Sequence, residues 1–189
     1  MEFDREKVVE AVEMLLEGVG EDVNRPGLKE TPQRVASMYE EVLCGMGQDA
    51  TEVVKSFKSE NYDEMVLVKD IPFYSLCEHH LLPFLGKAHV AYIPSGDRIT
   101  GISKLARVVE MHARRLQVQE RMTADIADGL VRALSPKGVL VVVEAEHLCM
   151  TMRGVQKPGS RTVTSVVRGL FRENPATRSE AMSLVHSSE

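Results

Sequence analysis

The stretch Gly138-Val139-Leu140-Val141-Val142-Val143-Glu144-Ala145-Glu146-His147-Leu148-Cys149 joins a continuous apolar run to an alternating one. A short apolar run rich in valine, opened by a glycine, indicates a buried strand, and the alternation indicates that the strand continues with one face toward a core. We therefore expect a strand that is deeply buried at Val139–Val143 and alternates from Glu144 to Cys149. On such a strand, His147 and Cys149 project to the same face.

The residues around this stretch favour helices, because apolar side chains recur at helical spacing in four other segments. These segments begin near Asp4, Thr31, Ser103 and Gln119. We expect Asp4 and Thr31 to be N-caps, with Pro32 in the first turn of its helix. The apolar face of the third helix should extend to Leu116, and the fourth helix should end at Leu134.

Three further segments alternate like strands, namely Met65–Lys69, Gly86–Ile93 and Thr162–Leu170. Pro72 and Pro83 are expected to interrupt this strand region. The order of helices, strands, two helices and strands is not a regular βαβ alternation, so it favours an α+β fold with a mostly antiparallel sheet. We expect one domain over residues 1–189, with a helical part at 1–60 and a sheet-containing part at 61–189.

The composition excludes several classes of protein. A net charge of −5 argues against a general nucleic-acid-binding protein, which needs a basic surface. The polar start Met1–Lys7 is not followed by the apolar core of a signal peptide, and no apolar run is long enough to span a membrane. Three cysteines make a poor disulfide framework, so we expect a cytoplasmic protein.

Two short segments concentrate metal-binding residue types. Cys77-Glu78-His79-His80 places a cysteine and a histidine three residues apart, and His147-Leu148-Cys149 supplies a second pair. Thiolate together with imidazole suits zinc. Cys77, His80 and Cys149 would provide three ligands and leave one position open, which is the arrangement of a catalytic zinc site. His79 and His147 would then be free for proton transfer.

A closed structural site is the alternative, with His147 as a fourth ligand beside Cys77, His80 and Cys149. The spacing of the ligands does not choose between the two arrangements. The surplus histidine, His79, favours catalysis, because a closed site would not use it.

Basic residues form a second pattern. Lys104 and Arg107 share a face at the start of a predicted helix, where free backbone N–H groups also attract anions. Arg153 lies four residues after Cys149 and should be close to the metal. A local basic cluster on an acidic protein indicates a polyphosphate or another multiply charged small ligand. Taken singly, each of these residues is more simply a solvated surface charge.

Glu120, next to Gln119, has the chemistry to recognise guanine. A carboxylate can accept two hydrogen bonds from N1–H and the 2-amino group of guanine, a pair of donors that adenine lacks. The simpler explanation is also open, because the helix dipole favours a carboxylate in the first turn of a helix.

Taken together, these residues resemble the GTP cyclohydrolase I family from about Val8 to Glu180. The resemblance rests on Cys77-Glu78-His79-His80, Gly101-Ile102-Ser103-Lys104-Leu105-Ala106-Arg107, Gln117-Val118-Gln119-Glu120-Arg121 and His147-Leu148-Cys149-Met150-Thr151-Met152-Arg153-Gly154. It implies the tunnelling fold, an antiparallel sheet backed by two helices, in a homodecamer of two stacked pentamers with active sites between subunits. It also implies a zinc-dependent reaction in which GTP and water give 7,8-dihydroneopterin triphosphate and formate, the first step of folate or tetrahydropterin synthesis.

The resemblance also implies a role for each residue. Zinc would be held by Cys77, His80 and Cys149. His79 and His147 would handle protons near C8 of GTP. Glu120 with Gln119 would anchor the guanine. The triphosphate would be bound by Ser103, Lys104, Arg107 and Arg153, with Arg34 reaching in from a neighbouring subunit.

Two other functions remain open at this point. Another enzyme with the tunnelling fold, such as a pterin synthase or a deazaguanine nitrile reductase, would also hold a purine-like ring with a glutamate. A zinc-stabilised interaction protein would use the cysteines for folding alone. Zinc removal should unfold such a protein, whereas it should leave a catalytic protein folded but inactive.

Overall fold

The computed structural model describes residues 3–58, 62–96 and 98–187, which form a mixed α+β fold. The helices are α1 (Arg5–Gly18), α2 (Thr31–Val42), α3 (Ala50–Val53), α4 (Ile102–Ala113), α5 (Gln119–Leu134), α6 (Leu148–Thr151), α7 (Leu170–Glu173) and α8 (Pro175–His186). The strands are β1 (Ser56–Lys58), β2 (Val66–Cys77), β3 (Pro83–Ile93), β4 (Arg98–Thr100), β5 (Leu116–Gln117), β6 (Gly138–His147) and β7 (Thr162–Gly169). The predicted α+β class is therefore confirmed.

Within the described ranges, five strands form one sheet in the order β5-β2-β3-β6-β7. The pairs β2–β3, β3–β6 and β6–β7 are antiparallel. The short strand β5 is the exception, since it runs parallel to the end of β2 with Cys77 opposite Gln117. The sheet is thus mostly antiparallel, and its one parallel pair lies at the strand end that carries Cys77.

The inner strand β6, which lies between β3 and β7, is buried on both faces, which explains its continuous apolar run. Val139, Val141 and Val143 pack into the main core with apolar residues of α4 and α5. Leu140 and Val142 point to the other face, where they pack with Phe171 and with the C-terminal helix α8. Two helices therefore back one face of the sheet, as predicted, and the chain end covers part of the opposite face.

Helix starts agree with the sequence in one case and differ in another. The Asp4 side chain accepts a hydrogen bond from the backbone N–H of Lys7, so the predicted N-cap of α1 is confirmed. The predicted Thr31 N-cap is wrong, because the N-cap is Glu30 and Thr31 lies inside α2. Proline in the first turn has no N–H to be capped, which reduces the need for a capping side chain there.

Two positions in the middle of the chain also differ from expectation. Leu116 is not on α4, because the helix ends at Ala113 and Leu116 pairs with Leu76 in the sheet. Pro72 does not interrupt a strand but lies inside β2, just after a bulge at residues 68–71. Bulges are sites where a strand tolerates proline.

Non-covalent contacts also connect the N-terminal part of the chain to the part that contains the sheet. Strand β1 pairs with β4, and Ala50 of α3 lies in the main core. The predicted boundary between a helical part and a sheet-containing part, at residues 60 and 61, lies outside the described residues. Among the described residues, no helix combines the length and apolar character needed to cross a membrane.

Candidate active site

A tight turn joins β2 to β3 and carries the Cys77-Glu78-His79-His80 motif. The backbone N–H groups of His80 and Leu81 both donate to the Cys77 carbonyl, at 3.3 and 2.8 Å, and the Cys77 N–H donates to the Leu82 carbonyl at 2.9 Å. Leu81 closes the turn with a positive φ of 55°. The turn folds His80 back toward Cys77, as a shared metal ion requires.

The second ligand segment begins where β6 ends. His147 is the last residue of β6 and pairs with Phe84, and Leu148–Thr151 then forms the helical turn α6. The predicted strand through Cys149 is therefore wrong, and so is the argument that His147 and Cys149 share a strand face. The helical turn is closed by the Met152 N–H, which donates to the Leu148 carbonyl.

Cys77, His80 and Cys149 form a compact donor cluster. One ligand atom from each of the three residues lies within 4.8 Å of the other two. Tetrahedral zinc with ligand distances of about 2.0–2.3 Å places its ligands roughly 3.3–3.8 Å apart, so small side-chain movements would complete the site. Among the described residues, neither His79 nor His147 joins this group. The cluster therefore has three donors and could hold a metal ion.

The two thiols of the cluster lie close enough to influence each other. Burial raises the pKa of Cys149, and the adjacent Cys77 raises it further. The Cys149 thiol therefore resists ionisation in the absence of a cation. A divalent cation reverses this tendency, because it stabilises both thiolates.

His147 lies beside this cluster and is held on two sides. Its ring stacks on Phe84, with centroids 4.7 Å apart and planes 2° from parallel. Its Nε2 is 2.7 Å from Oε1 of Gln119. Burial lowers the pKa of His147, and the nearby Glu120 carboxylate partly opposes this shift. The ring is thus fixed in place and favours its neutral form.

The other histidine predicted to transfer protons is more exposed. The His79 side chain is 62% exposed, and its Nδ1 lies 3.9 Å from Sγ of Cys77. Arg153 is beside the cluster, as its spacing predicted, with a guanidinium nitrogen 3.1 Å from Nε2 of His80. These contacts bring His79 and Arg153 to the same side of the molecule as the metal ligands.

Two of the remaining basic residues line a different cavity, about 320 Å³ in volume. Lys104 and Arg107 line it from α4, together with Lys55 and Arg114, and none of the three metal-cluster residues lines it. Ser103 is exposed at the start of the same helix. Arg34 is exposed on α2, where it pairs with Glu30. Of the residues predicted to bind the triphosphate, only Arg153 therefore lies beside the metal cluster in the described chain.

Comparison with known proteins decides the family. The family model for GTP cyclohydrolase I matches residues 8–186. The chain belongs to the GTP cyclohydrolase I family. Three curated proteins named GTP cyclohydrolase 1 are similar along nearly their whole length. They come from Carboxydothermus hydrogenoformans (63% identity over 96% of this chain and 95% of the relative), Pelotomaculum thermopropionicum (62%, 97% and 97%) and Clostridioides difficile (60%, 96% and 96%).

Membership of the GTP cyclohydrolase I family identifies the chain as a hydrolase. Among solved structures, the archaeosine synthase QueF-Like in the apo form has a TM-score of 0.47 and 19% identity, covering 59% of this chain and 97% of that one. This likeness is too distant to support an argument about the fold.

Within this GTP cyclohydrolase I family member, Gln119 and Glu120 occupy different environments. Glu120 is exposed in the first turn of α5, where a ligand can reach its carboxylate. Gln119 is only 1% exposed, and its side-chain amide is engaged by hydrogen bonds inside the protein. The predicted contact of Gln119 with guanine remains a prediction.

One link at the site was missed by the sequence argument. Arg121 on α5 donates a hydrogen bond to Glu78, which lies in the turn between β2 and β3. This contact lowers the pKa of the Glu78 carboxyl. The same guanidinium donates to the Gln117 side chain and the Leu116 carbonyl. Glu78 lies in the Cys77–His80 motif and Arg121 in the Gln117–Arg121 motif. Their opposite charges alone could not predict the contact, because the two residues lie 43 positions apart.

Proposed function

We propose that this chain converts GTP and water into 7,8-dihydroneopterin triphosphate and formate. The observation that carries the proposal is the three-donor cluster of Cys77, His80 and Cys149 with His147 fixed beside it, in a chain of the GTP cyclohydrolase I family. Two hydrolytic steps consume two waters and release C8 as formate, and closure of the new ring returns one water. The net reaction therefore uses one water per GTP.

Zinc is the proposed metal, because two soft thiolates and an imidazole suit that ion. When bound, zinc supplies Lewis acidity that makes water a nucleophile near neutral pH. Cys77, His80 and Cys149 would hold the ion, and their count leaves room for a fourth ligand. The partial exposure of His80 and Cys149 supports an opening toward substrate on that side.

Proton transfer is assigned to His147 and His79. Each hydrolytic step breaks a bond between C8 and a ring nitrogen, and the departing nitrogen needs a proton. A histidine that changes protonation state near neutral pH suits this task. His147 is the better fixed of the two, since its ring has a stacking partner and a hydrogen-bond partner.

Substrate binding is assigned to the remaining predicted residues. Glu120 would recognise guanine, and Arg153 would bind the triphosphate beside the metal cluster. Lys104, Arg107, Ser103 and Arg34 would bind it from neighbouring copies. The separate cavity that Lys104 and Arg107 line supports a site completed between subunits. We accordingly propose the tunnelling fold and the decamer of two pentamers, in the cytoplasm, where a reducing environment keeps all three cysteines free.

The direct test is to incubate zinc-loaded protein with GTP and to quantify formate together with the absorbance of a pterin. One formate per GTP is expected, and ATP should give none. Equal binding of ATP and GTP would refute the guanine assignment. Glu120→Ala should weaken GTP binding about 10-fold or more, since it removes charge-assisted hydrogen bonds.

Zinc removal distinguishes the catalytic site from a purely structural one. Chelation should abolish formate release, while the far-ultraviolet circular dichroism spectrum should remain that of the folded protein. Unfolding on chelation would instead favour a zinc-stabilised interaction protein.

A further inference from the structure

The side chain of Gln119 has an orientation that its surroundings fix. Its Nε2 lies 3.0 Å from the carbonyl oxygens of Val143 and Thr162 and 3.1 Å from Oγ1 of Thr164. Backbone carbonyls only accept hydrogen bonds, so this end of the amide must be the NH2 group. The opposite orientation would place the amide oxygen against two carbonyl oxygens. The network thus settles an assignment that is otherwise ambiguous for glutamine.

This orientation determines the hydrogen bond to His147. The amide oxygen of Gln119 faces Nε2 of His147 at 2.7 Å, and an amide oxygen can only accept. The ring must therefore donate from Nε2. A neutral imidazole has one donor and one acceptor nitrogen, so Nδ1 of His147 carries the acceptor lone pair. The side-chain hydrogen bond of His147 to a described residue is made through Nε2 and leaves Nδ1 outside it.

We propose that Gln119 is a positioning residue, which fixes the ring orientation of His147 through the hydrogen bond from Nε2 and leaves Nδ1 as the nitrogen available to the substrate. This inference rests on the proposed function. It also replaces a direct role for Gln119 in holding guanine. Gln119 is 1% exposed and its amide is fully engaged, whereas the neighbouring Glu120 is exposed.

A double-mutant comparison, with and without the His147 side chain, tests whether Gln119 acts through His147. Gln119→Met keeps the length of the side chain but removes both the amide oxygen and the amide NH2 group. We expect it to lower kcat for formate release about 10- to 100-fold, as loss of a supporting hydrogen bond does at comparable sites, with little change in KM for GTP. In the His147→Ala background the same substitution should change kcat no more than about twofold, because its target is already absent.

Gln117→Met is the matched control. Gln117 is also 1% exposed, and its amide donates to the His112 carbonyl and accepts from Arg121, with no contact to His147. Its effect on kcat should be the same factor with and without His147. Equal losses from Gln119→Met in both backgrounds would overturn the proposal, and so would a tenfold rise in KM at unchanged kcat, which is the result expected of a guanine ligand. Absence of formate from the unaltered protein would instead refute the proposed function.

A second measurement tests the direction of the hydrogen bond and does not require the Gln119 variant to fold. His147→Gln offers an NH2 donor to the oxygen of Gln119, whereas His147→Glu of similar shape offers only acceptors. The zinc-loaded Gln variant should have a higher Tm than the Glu variant at pH 8 by several degrees. A Glu variant of equal or higher Tm would mean that Gln119 donates, which would overturn the tautomer assignment.

Discussion

The metal cluster and the basic cavity differ in how completely a single chain builds them. Cys77, His80 and Cys149 converge within 4.8 Å, and His147 beside them is held by Phe84 and Gln119. Lys104 and Arg107 line a separate cavity, and Arg34 is exposed on another helix. The first region is organised by strand ends and tight turns, whereas the second consists of long side chains on helix surfaces.

This contrast separates two physical requirements. Bond-breaking chemistry needs groups fixed to within fractions of an ångström, and strand ends, turns and buried contacts provide that. Binding of a flexible, highly charged chain of phosphates tolerates long and mobile side chains, and these can come from more than one subunit. We therefore expect substitutions in the metal cluster to affect turnover and substitutions in the basic cavity to affect affinity.

The largest expected effect comes from the metal ligands. Cys77→Ala should reduce zinc content to well below one per chain and lower formate release by more than about 1,000-fold, because the ion would lose a thiolate. Metal analysis and a formate assay measure the two effects. Cys44→Ala is the control, since that exposed cysteine lies outside the cluster. Full zinc content in Cys77→Ala would contradict the three-donor site.

His147→Ala separates chemistry from metal binding. It should lower kcat about 100- to 10,000-fold, the range expected for loss of a general acid–base, while zinc content and GTP affinity stay close to those of the unaltered protein. Equilibrium binding of a fluorescent GTP analogue gives the affinity. If zinc is lost as well, His147 is a ligand and the closed four-ligand site is correct.

Lys104→Met and Arg107→Met should each raise KM for GTP about 10-fold or more, since each removes a charge-assisted contact to phosphate, with a smaller change in kcat. Initial rates across GTP concentrations measure both constants. Lys7→Met, which changes an exposed lysine of α1, is the control.

Mixing variants tests where the two regions meet. Oligomers assembled jointly from His147→Ala and Lys104→Met chains should be more active than either variant alone, because some sites would combine an intact metal region with an intact basic cavity. No recovery would mean that each chain supplies both regions of its own site.

The last prediction concerns the stability of the fold around helix α4, which carries the basic residues, rather than activity. His112 on this helix is 3% exposed, and neither ring nitrogen has a hydrogen-bond partner among the described residues. Burial, followed by the charge of Arg115, lowers its pKa from 6.5 to about 4. The unfolded chain therefore binds a proton between these pH values and the folded chain does not. The contribution of His112 to stability should fall by about 3 kcal/mol as the pH drops from 6.5 to 4 and then level off.

Urea denaturation at several pH values measures this dependence. His112→Met should remove it, since the substitution leaves no titrating group in the pocket. If the two proteins lose stability in parallel on acidification, the lowered pKa of His112 is not its source.

The cluster of Cys77, His80 and Cys149 was accessible from sequence because residues of this chemistry are rare and two of them are closely spaced. Cysteine and histidine three residues apart already require only a turn, and Cys149 was recognised by residue type even though its predicted strand proved to be a helical turn. The buried strand β6 was equally clear, since a short run of valines opened by a glycine is typical of a strand covered on both faces.

Features that depend on long-range pairing were not accessible. Leu116 lies outside the helix predicted for it because its backbone pairs with β2. The local sequence pattern does not indicate that pairing partner. The sequence assigned Gln119 and His147 separate roles. Their side chains are hydrogen-bonded in the structure although the residues lie 28 positions apart. Residue type identified the groups of the site, and tertiary contacts determined which of them touch.

The hydrogen bond between Arg121 and Glu78 ties the turn that carries Cys77 and His80 to the helix start that carries Glu120. Any free-energy coupling transmitted through it is reciprocal by thermodynamic necessity. If an occupied metal centre raises the affinity for nucleotide by some factor, bound nucleotide must raise the affinity for the metal by the same factor. An enzyme with this linkage would retain its ion best when its substrate is abundant.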